Sequence, residues 1–97
     1  MMNTMNLELI KKMLVKLDKA ETIQERRELR KITRKYIVEN VEKSCDIHIR
    51  DIEINRRGGY GFTVYTIYNE YIKFTYVAHN ESCRIVYDGK FEINIKL

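Results

Sequence analysis

One basic, glycine-rich stretch, Arg56-Arg57-Gly58-Gly59-Tyr60-Gly61-Phe62, separates two sequence patterns in this chain. It holds three of the four glycines among 97 residues, and the chain contains no proline. Adjacent glycines adopt the positive φ that a tight hairpin turn requires. Apolar residues repeat at helical spacing well before this stretch and alternate at strand spacing after it. The sequence predicts an α+β fold in one domain, 1–97, with a helical hairpin at 1–44 packed on one face of an antiparallel sheet at 45–97.

Two helices are expected in the first half. Leu7, Ile10, Leu14 and Leu17 form one apolar stripe at helical spacing. Thr22 followed by Glu25 is a capping-box pattern, which places the start of the second helix at Ile23 and its end near residue 43. Projected at 100° per residue, its apolar side holds Leu29, Ile32 and Tyr36, with Ile37 and Val41 toward one edge. Much of the opposite arc is basic: Arg27, Arg30, Lys31, Arg34 and Lys35.

A meander of about five strands is expected in the second half. Alternation begins at Cys45, and a slip at Arg50-Asp51 indicates a bulge. A two-residue turn at Asn69-Glu70 would place Phe62 opposite Val77. Asp88-Gly89 is a strong hairpin signal that joins a strand at 83–87 to a clearly amphipathic last strand. The inner face then carries Tyr65, Ile67, Ile72, Phe74, Tyr76 and Ala78, and the open face carries Tyr60, Phe62, Val64, Thr66, Tyr68, Tyr71, Lys73, Thr75, Val77 and His79.

Charge is distributed unevenly between the halves. Residues 1–44 hold eleven Lys and Arg against seven Asp and Glu, whereas residues 45–97 hold seven of each. This asymmetry favours a polyanionic partner, so the leading hypothesis is a non-enzymatic protein that binds nucleic acid or a nucleoprotein surface. The basic arc of the second helix supplies phosphate contacts, and the hairpin adds Arg56, Arg57, Tyr60 and Phe62. The same arc also fits an ordinary solvated face.

The glycine-rich stretch partly resembles a known RNA-binding element. Gly59-Tyr60-Gly61-Phe62-Thr63-Val64-Tyr65, preceded by Arg57, resembles the RNP1 strand of RNA-recognition motifs, whose aromatic side chains stack on bases. The order of predicted elements differs from that family, because no strand precedes the first helix. The resemblance implies only that Tyr60 and Phe62 stack on bases beside the arginines, and a glycine-requiring turn beside ordinary strand residues explains the same pattern.

An alternative is a protein-binding inhibitor or adaptor, of the kind that phages and mobile elements direct against host proteins. Its interface is the tyrosine-rich face with Tyr60, Phe62, Tyr68, Tyr71 and Lys73, because tyrosine is enriched at protein interfaces. A homodimer through the open sheet face is a third arrangement. A small ribonuclease-type toxin is a further alternative, with His79 and Tyr60 facing each other as the acid–base pair.

Metal and membrane signals are weak. Cys45, His48, His79 and Cys83 are formally compatible with a tetrahedral zinc site, but Cys45 and His48 have opposite strand parity. We therefore expect no metal and no cofactor. The N-terminal apolar run is broken by charged residues, so neither a signal peptide nor a membrane span is expected, and the predicted location is cytoplasmic with reduced thiols.

Overall fold

The computed structural model describes residues 5–55 and 59–97. The chain divides into two compact units, Met1–Ile47 and His48–Leu97. The first unit contains two helices in contact with each other, and the second contains a five-stranded antiparallel sheet. These elements confirm the predicted α+β class, the N-terminal helical hairpin and the antiparallel meander.

The first helix, α1, spans Leu7–Asp18. Asn6 caps its start, since the side-chain oxygen accepts a hydrogen bond of 3.1 Å from the amide of Leu9 and satisfies one of the donors left free at a helix start. The predicted stripe is confirmed, because the buried residues of α1 are Leu7, Ile10, Leu14 and Leu17.

The second helix, α2, spans Ile23–Cys45. Its predicted start is confirmed: the Thr22 hydroxyl accepts a hydrogen bond of 3.1 Å from the amide of Glu25. The helix ends at Asp46, which has a left-handed φ of 53° and donates its amide to the carbonyl of Glu42. The alternation expected from Cys45 onward is therefore wrong, because Cys45 still lies in the helix.

The buried side of α2 also differs from the prediction. Thr33, Ile37 and Val41 are buried, whereas Ile32 is 57% exposed. Ile37 and Val41 were placed at the edge of the predicted apolar side, and their burial confirms that edge. The buried side is rotated from the predicted centre toward Thr33, which lies four residues before Ile37. Apolar side chains lie both beside Thr33 and around Leu29 and Ile32, so the helical projection alone does not decide which of these positions is buried. The buried positions include the shorter side chains of Thr33 and Val41.

The sheet has the strand order β1-β2-β3-β4-β5 with every neighbouring pair antiparallel. The predicted bulge is confirmed as a register shift between Ile49 and Asp51. The predicted turn at Asp88-Gly89 is confirmed as well, since both residues have positive φ, 46° and 69°. The strands are β1, Ile49–Ile54; β2, Gly61–Thr66; β3, Tyr71–Val77; β4, Ser82–Tyr87; and β5, Phe91–Lys96.

The hairpin between β2 and β3 is closed by three residues, 67–69, and not by the predicted two-residue turn, because the amide of Thr66 donates a hydrogen bond of 2.8 Å to the carbonyl of Glu70. The Thr66 hydroxyl accepts hydrogen bonds from the amides of Tyr68 and Glu70, both at 3.2 Å. Asn69 adopts a left-handed φ of 62° between them. A threonine hydroxyl that binds backbone amides locally competes with continuation of the strand, which ends β2 at Thr66.

The longer loop changes which side chains share a face. Phe62 pairs with Phe74 and Val64 pairs with Ile72, so these four lie on one face. All four are buried, and the rings of Phe62 and Phe74 stack with centroids 4.4 Å apart. The prediction that Phe62, Val64 and Thr66 lie on the open face is wrong. They belong to the buried face because the register differs from the prediction by an odd number of residues.

This register makes a stability prediction. Phe62→Ala removes a fully buried ring that stacks on Phe74, and we expect the free energy of unfolding to fall by about 3–5 kcal/mol. Tyr68→Ala is the control, because Tyr68 is 73% exposed and its loss should cost less than about 0.5 kcal/mol. Urea denaturation followed by circular dichroism measures both. Equal small losses would contradict the observed register.

Candidate nucleic-acid interface

One side of α2 carries a row of exposed basic residues. Arg27, Lys31 and Lys35 are all exposed and lie four residues apart. Side chains four apart lie above one another on a helix, with an axial rise of about 6 Å per step. We call these three residues the basic row. It presents three cations along one side of a single rigid element.

Two further arginines of the predicted set lie beside the row. Arg30 and Arg34 are half-buried, because their positions on the helix are nearer to the buried stripe of Thr33 and Ile37. Their long side chains can cover apolar surface with their stems while the guanidinium groups reach water. The predicted basic arc therefore consists of the exposed basic row and of the half-buried pair Arg30 and Arg34 beside it.

Arg26 makes a contact within the helical hairpin. Its Nη2 donates a hydrogen bond of 3.2 Å to the carbonyl of Ala20 in the link between the helices. Ala20 is buried, so this bond satisfies a carbonyl that follows the end of α1. Arg26 helps to hold the hairpin, and we do not include it in the basic row.

The local charge density around the row is high. Residues 26–35 contain six Lys and Arg and only one acidic residue. Within residues 5–55 and 59–97, no ion pair is found for Arg27, Lys31 or Lys35. The row also lies outside the last turn of α2, where the negative end of the helix dipole would stabilise cations. For the three residues of the basic row, neither an ion pair among the described residues nor the helix dipole accounts for the positive charge.

The hairpin part of the predicted interface is altered. Arg56 and Arg57 lie outside the described residues, so their placement stays a prediction. Tyr60 is half-buried, and its carbonyl accepts a hydrogen bond of 3.0 Å from the amide of Tyr76. Phe62 is fully buried, and the prediction that its ring is exposed for stacking on a base is wrong. Its ring stacks on Phe74 instead.

The tip of the β2–β3 hairpin exposes two large side chains. Ile67 is 50% exposed and Tyr68 is 73% exposed. Their backbone is held by the Thr66 hydroxyl and by a bond of 3.1 Å from the amide of Ile67 to the carbonyl of His48. The sequence analysis placed Ile67 on the inner face and missed this tip. The available signal was Thr66 together with Asn69, which favour a hydroxyl-capped loop with a left-handed residue.

The remaining residues of the predicted tyrosine-rich interface lie on the sheet itself. Tyr71 is half-buried and pairs with Tyr65, and Lys73 is exposed on the same face. Phe62 lies on the opposite face. The predicted five-residue interface is therefore divided between two sheet faces and the hairpin tip.

The cysteines and histidines do not form the considered zinc site. No group of three or more His, Cys, Asp and Glu side chains is arranged to hold a metal within the described parts of the chain. Cys83 is fully buried, and its burial raises the pKa of its thiol to about 11, so the thiol is protonated at neutral pH. Cys45, His48 and His79 are exposed. A buried, protonated thiol is a poor metal ligand and a poor nucleophile.

The register of β2 and β3 also separates Tyr60 from His79, the two residues considered as an acid–base pair. The carbonyl of Tyr60 accepts from the amide of Tyr76, so Tyr60 lies opposite Tyr76 rather than His79. His79 lies in a short 3-10 turn, Ala78–Asn80, after the end of β3. The expectation that Tyr60 and His79 face each other is wrong. Burial, and secondarily the neighbouring Cys83, raises the pKa of Tyr76, which keeps its hydroxyl neutral.

Among the described residues, neither helix has the length and apolar content needed to cross a membrane. Comparison with known proteins gives no match, whether the chain is compared with family models, curated proteins or solved structures.

The two thiols should differ sharply in reactivity. We expect a disulfide reagent to modify the exposed Cys45 in the folded protein, whereas Cys83 reacts only after unfolding. Because the pKa of Cys83 is about 11, raising the pH to about 9 should not make it reactive. Cys45→Ser should abolish the rapid phase. Rapid reaction of two thiols per chain with the reagent in the folded protein would contradict the burial of Cys83.

Proposed function

We propose that this protein binds nucleic acid, or a nucleic-acid surface within a nucleoprotein, through phosphate contacts made by the basic row of α2. The observation that carries the proposal is the concentration of six basic residues against one acidic residue in 26–35, with Arg27, Lys31 and Lys35 all exposed on one side of the helix. A row of cations along a rigid helix matches a polyanion better than it matches a neutral partner.

The physical basis of affinity is counterion release. Each phosphate neutralised by a lysine or arginine frees condensed counterions, so affinity depends steeply on salt and little on base sequence. Arg30 and Arg34 flank the row and can add bidentate contacts to phosphate oxygens. With Phe62 buried, the α2 surface offers positioning contacts to the backbone rather than base stacking. Arg56, Arg57 and Tyr60 are proposed as a second, hairpin-borne contact.

The proposal predicts a measurable change in salt dependence. We expect Arg27→Gln, Lys31→Gln and Lys35→Gln in one chain to reduce the slope of log affinity against log salt by about 3 for duplex DNA. Glutamine resembles lysine and arginine in helix propensity, so α2 should persist. Fluorescence anisotropy with labelled duplex DNA and single-stranded RNA, between about 50 and 200 mM salt, measures both slopes.

A matched control changes the same number of charges elsewhere. Lys12, Lys16 and Lys19 are exposed at the α1 side of the hairpin, and changing all three to glutamine lowers the net charge equally. This variant should keep most of the slope. Equal losses in the two triple variants would show a non-specific effect of net charge. Absence of binding to either polymer at low salt would overturn the proposal.

The hairpin tip supports a second candidate, a protein-binding inhibitor or adaptor that recognises a host protein. Ile67 and Tyr68 are adjacent and exposed, and the Thr66 hydroxyl and the Asn69 backbone hold their loop in one conformation. An aromatic side chain on a pre-organised loop loses little conformational entropy when it enters a pocket. Tyr71 and Lys73 would extend this contact along the sheet, as the sequence analysis proposed.

Variants of the hairpin tip distinguish protein binding at the tip from nucleic-acid binding at α2. Tyr68→Ala combined with Ile67→Ser should lower the affinity for a protein partner captured by the wild-type chain at least tenfold. The same variant should bind nucleic acid with unchanged affinity and salt dependence. The α2 triple variant should behave in the opposite way. A captured protein that binds the tip variant and the wild type equally well would exclude the tip as its interface.

A further inference from the structure

The last strand, β5, carries an apolar row that is not covered. Phe91 is 58% exposed, Ile93 is 48% exposed and Ile95 is 39% exposed. These residues pair with Tyr87, Ile85 and Cys83 of β4, so they lie on the same sheet face as the buried core. All six residues of β5 are exposed. The apolar face of the sheet therefore continues into solvent at one edge.

The backbone of this edge is open as well. The amide of Leu97 donates a hydrogen bond of 2.9 Å to the carbonyl of Glu81 on the β4 side. Because hydrogen-bonding direction alternates along an antiparallel strand, the amides and carbonyls of Glu92, Asn94 and Lys96 point away from β4. The pairing of β5 with β4 is regular over its whole length. Neither a bulge nor a proline in β5 prevents another strand from adding to this edge.

The opposite edge is protected. β1 contains the register shift at Ile49/Asp51, and its exposed side chains are charged: Arg50, Asp51 and Glu53. A bulge and charged side chains are the usual devices that stop strand addition at a sheet edge. Among the described strands, β5 combines an unbroken ladder with an exposed apolar row, whereas the ladder of β1 is interrupted by the register shift, so β5 is the edge suited to accept a further strand.

The sequence of β5 is complementary to itself. When two copies of Phe91–Lys96 run antiparallel about an axis at Asn94, Glu92 lies opposite Lys96 of the second copy, twice by symmetry. The apolar face then pairs Ile93 with Ile95, again twice. The outward amides and carbonyls of residues 92, 94 and 96 meet one another in this register. Shifting the axis by one residue in either direction removes the pairing of opposite charges.

From the open edge and its complementarity we propose that a second copy of this chain binds at β5, giving a symmetric dimer with a continuous ten-stranded sheet. Glu92 already accepts a hydrogen bond of 2.9 Å from Nε of Arg84, and its second oxygen remains able to accept from lysine. The assembly closes at two copies, because its two outer edges are both the protected β1. The surface differs from the open sheet face considered in the sequence analysis and does not depend on nucleic-acid binding.

Sedimentation velocity over a range of concentrations tests the dimer. The wild type should sediment as a dimer that dissociates on dilution. Lys96→Glu places two glutamates opposite two others while keeping the pair of Arg84 and Glu92, and should weaken dimerisation about tenfold or more. Glu92→Lys should weaken it similarly. Mixing the two variants in equal amounts should restore a dimer, because every facing pair then has opposite charges.

A backbone variant locates the contact independently. Asn94→Pro removes an amide that points away from β4, so β5 keeps its ladder while strand addition is blocked. We expect this variant to be monomeric and to retain the wild-type circular dichroism spectrum and cooperative unfolding. A wild-type protein that stays monomeric at high concentration would overturn the proposal. A dimer unaffected by Asn94→Pro and by Lys96→Glu would overturn it too, by placing the interface elsewhere.

Discussion

The hydrogen bonds that the Thr66 hydroxyl accepts from the amides of Tyr68 and Glu70 set the arrangement of the sheet. They end β2 at Thr66 and leave three residues, 67–69, between Thr66 and Glu70, which face each other across the hairpin. This loop length places Phe62 opposite Phe74, and the two rings stack in the buried face. A loop shorter by an odd number of residues would turn Phe62 and Val64 outward, since side chains alternate with a period of two. The composition of both sheet faces therefore depends on one local side-chain contact.

The two units of the chain carry different kinds of surface. The helical unit concentrates positive charge in the exposed row of Arg27, Lys31 and Lys35, which suits a polyanion. The sheet unit carries apolar surface at the hairpin tip and along β5. Exposed apolar surface is stabilised by leaving water, so it favours protein partners or a second copy over nucleic acid.

The edges of the sheet differ for a physical reason. An exposed edge strand presents unpaired amides and carbonyls, which add further strands unless a bulge, a charge or a proline prevents it. β1 has a bulge and charged side chains, whereas β5 has a regular ladder and an exposed apolar row. A chain with two open edges would polymerise, and a chain with two protected edges would not associate through its sheet. One edge of each kind favours a closed pair.

The sequence by itself determined the parts that depend on neighbouring residues. Thr22 with Glu25 predicted the start of α2, Asp88-Gly89 predicted the last hairpin, and alternation predicted β5, because caps, turns and side-chain period act over a few residues. The basic arc of α2 was visible for the same reason.

Only the tertiary structure decided which part of the apolar side of α2 is buried, since the buried side is centred on the predicted edge residues Ile37 and Val41 with Thr33, and Ile32 is 57% exposed. It also decided the β2–β3 register, and with it the burial of Phe62 and the separation of His79 from Tyr60. These outcomes depend on contacts between residues distant along the chain and on an odd or even loop length, which residue patterns of the strands alone do not encode.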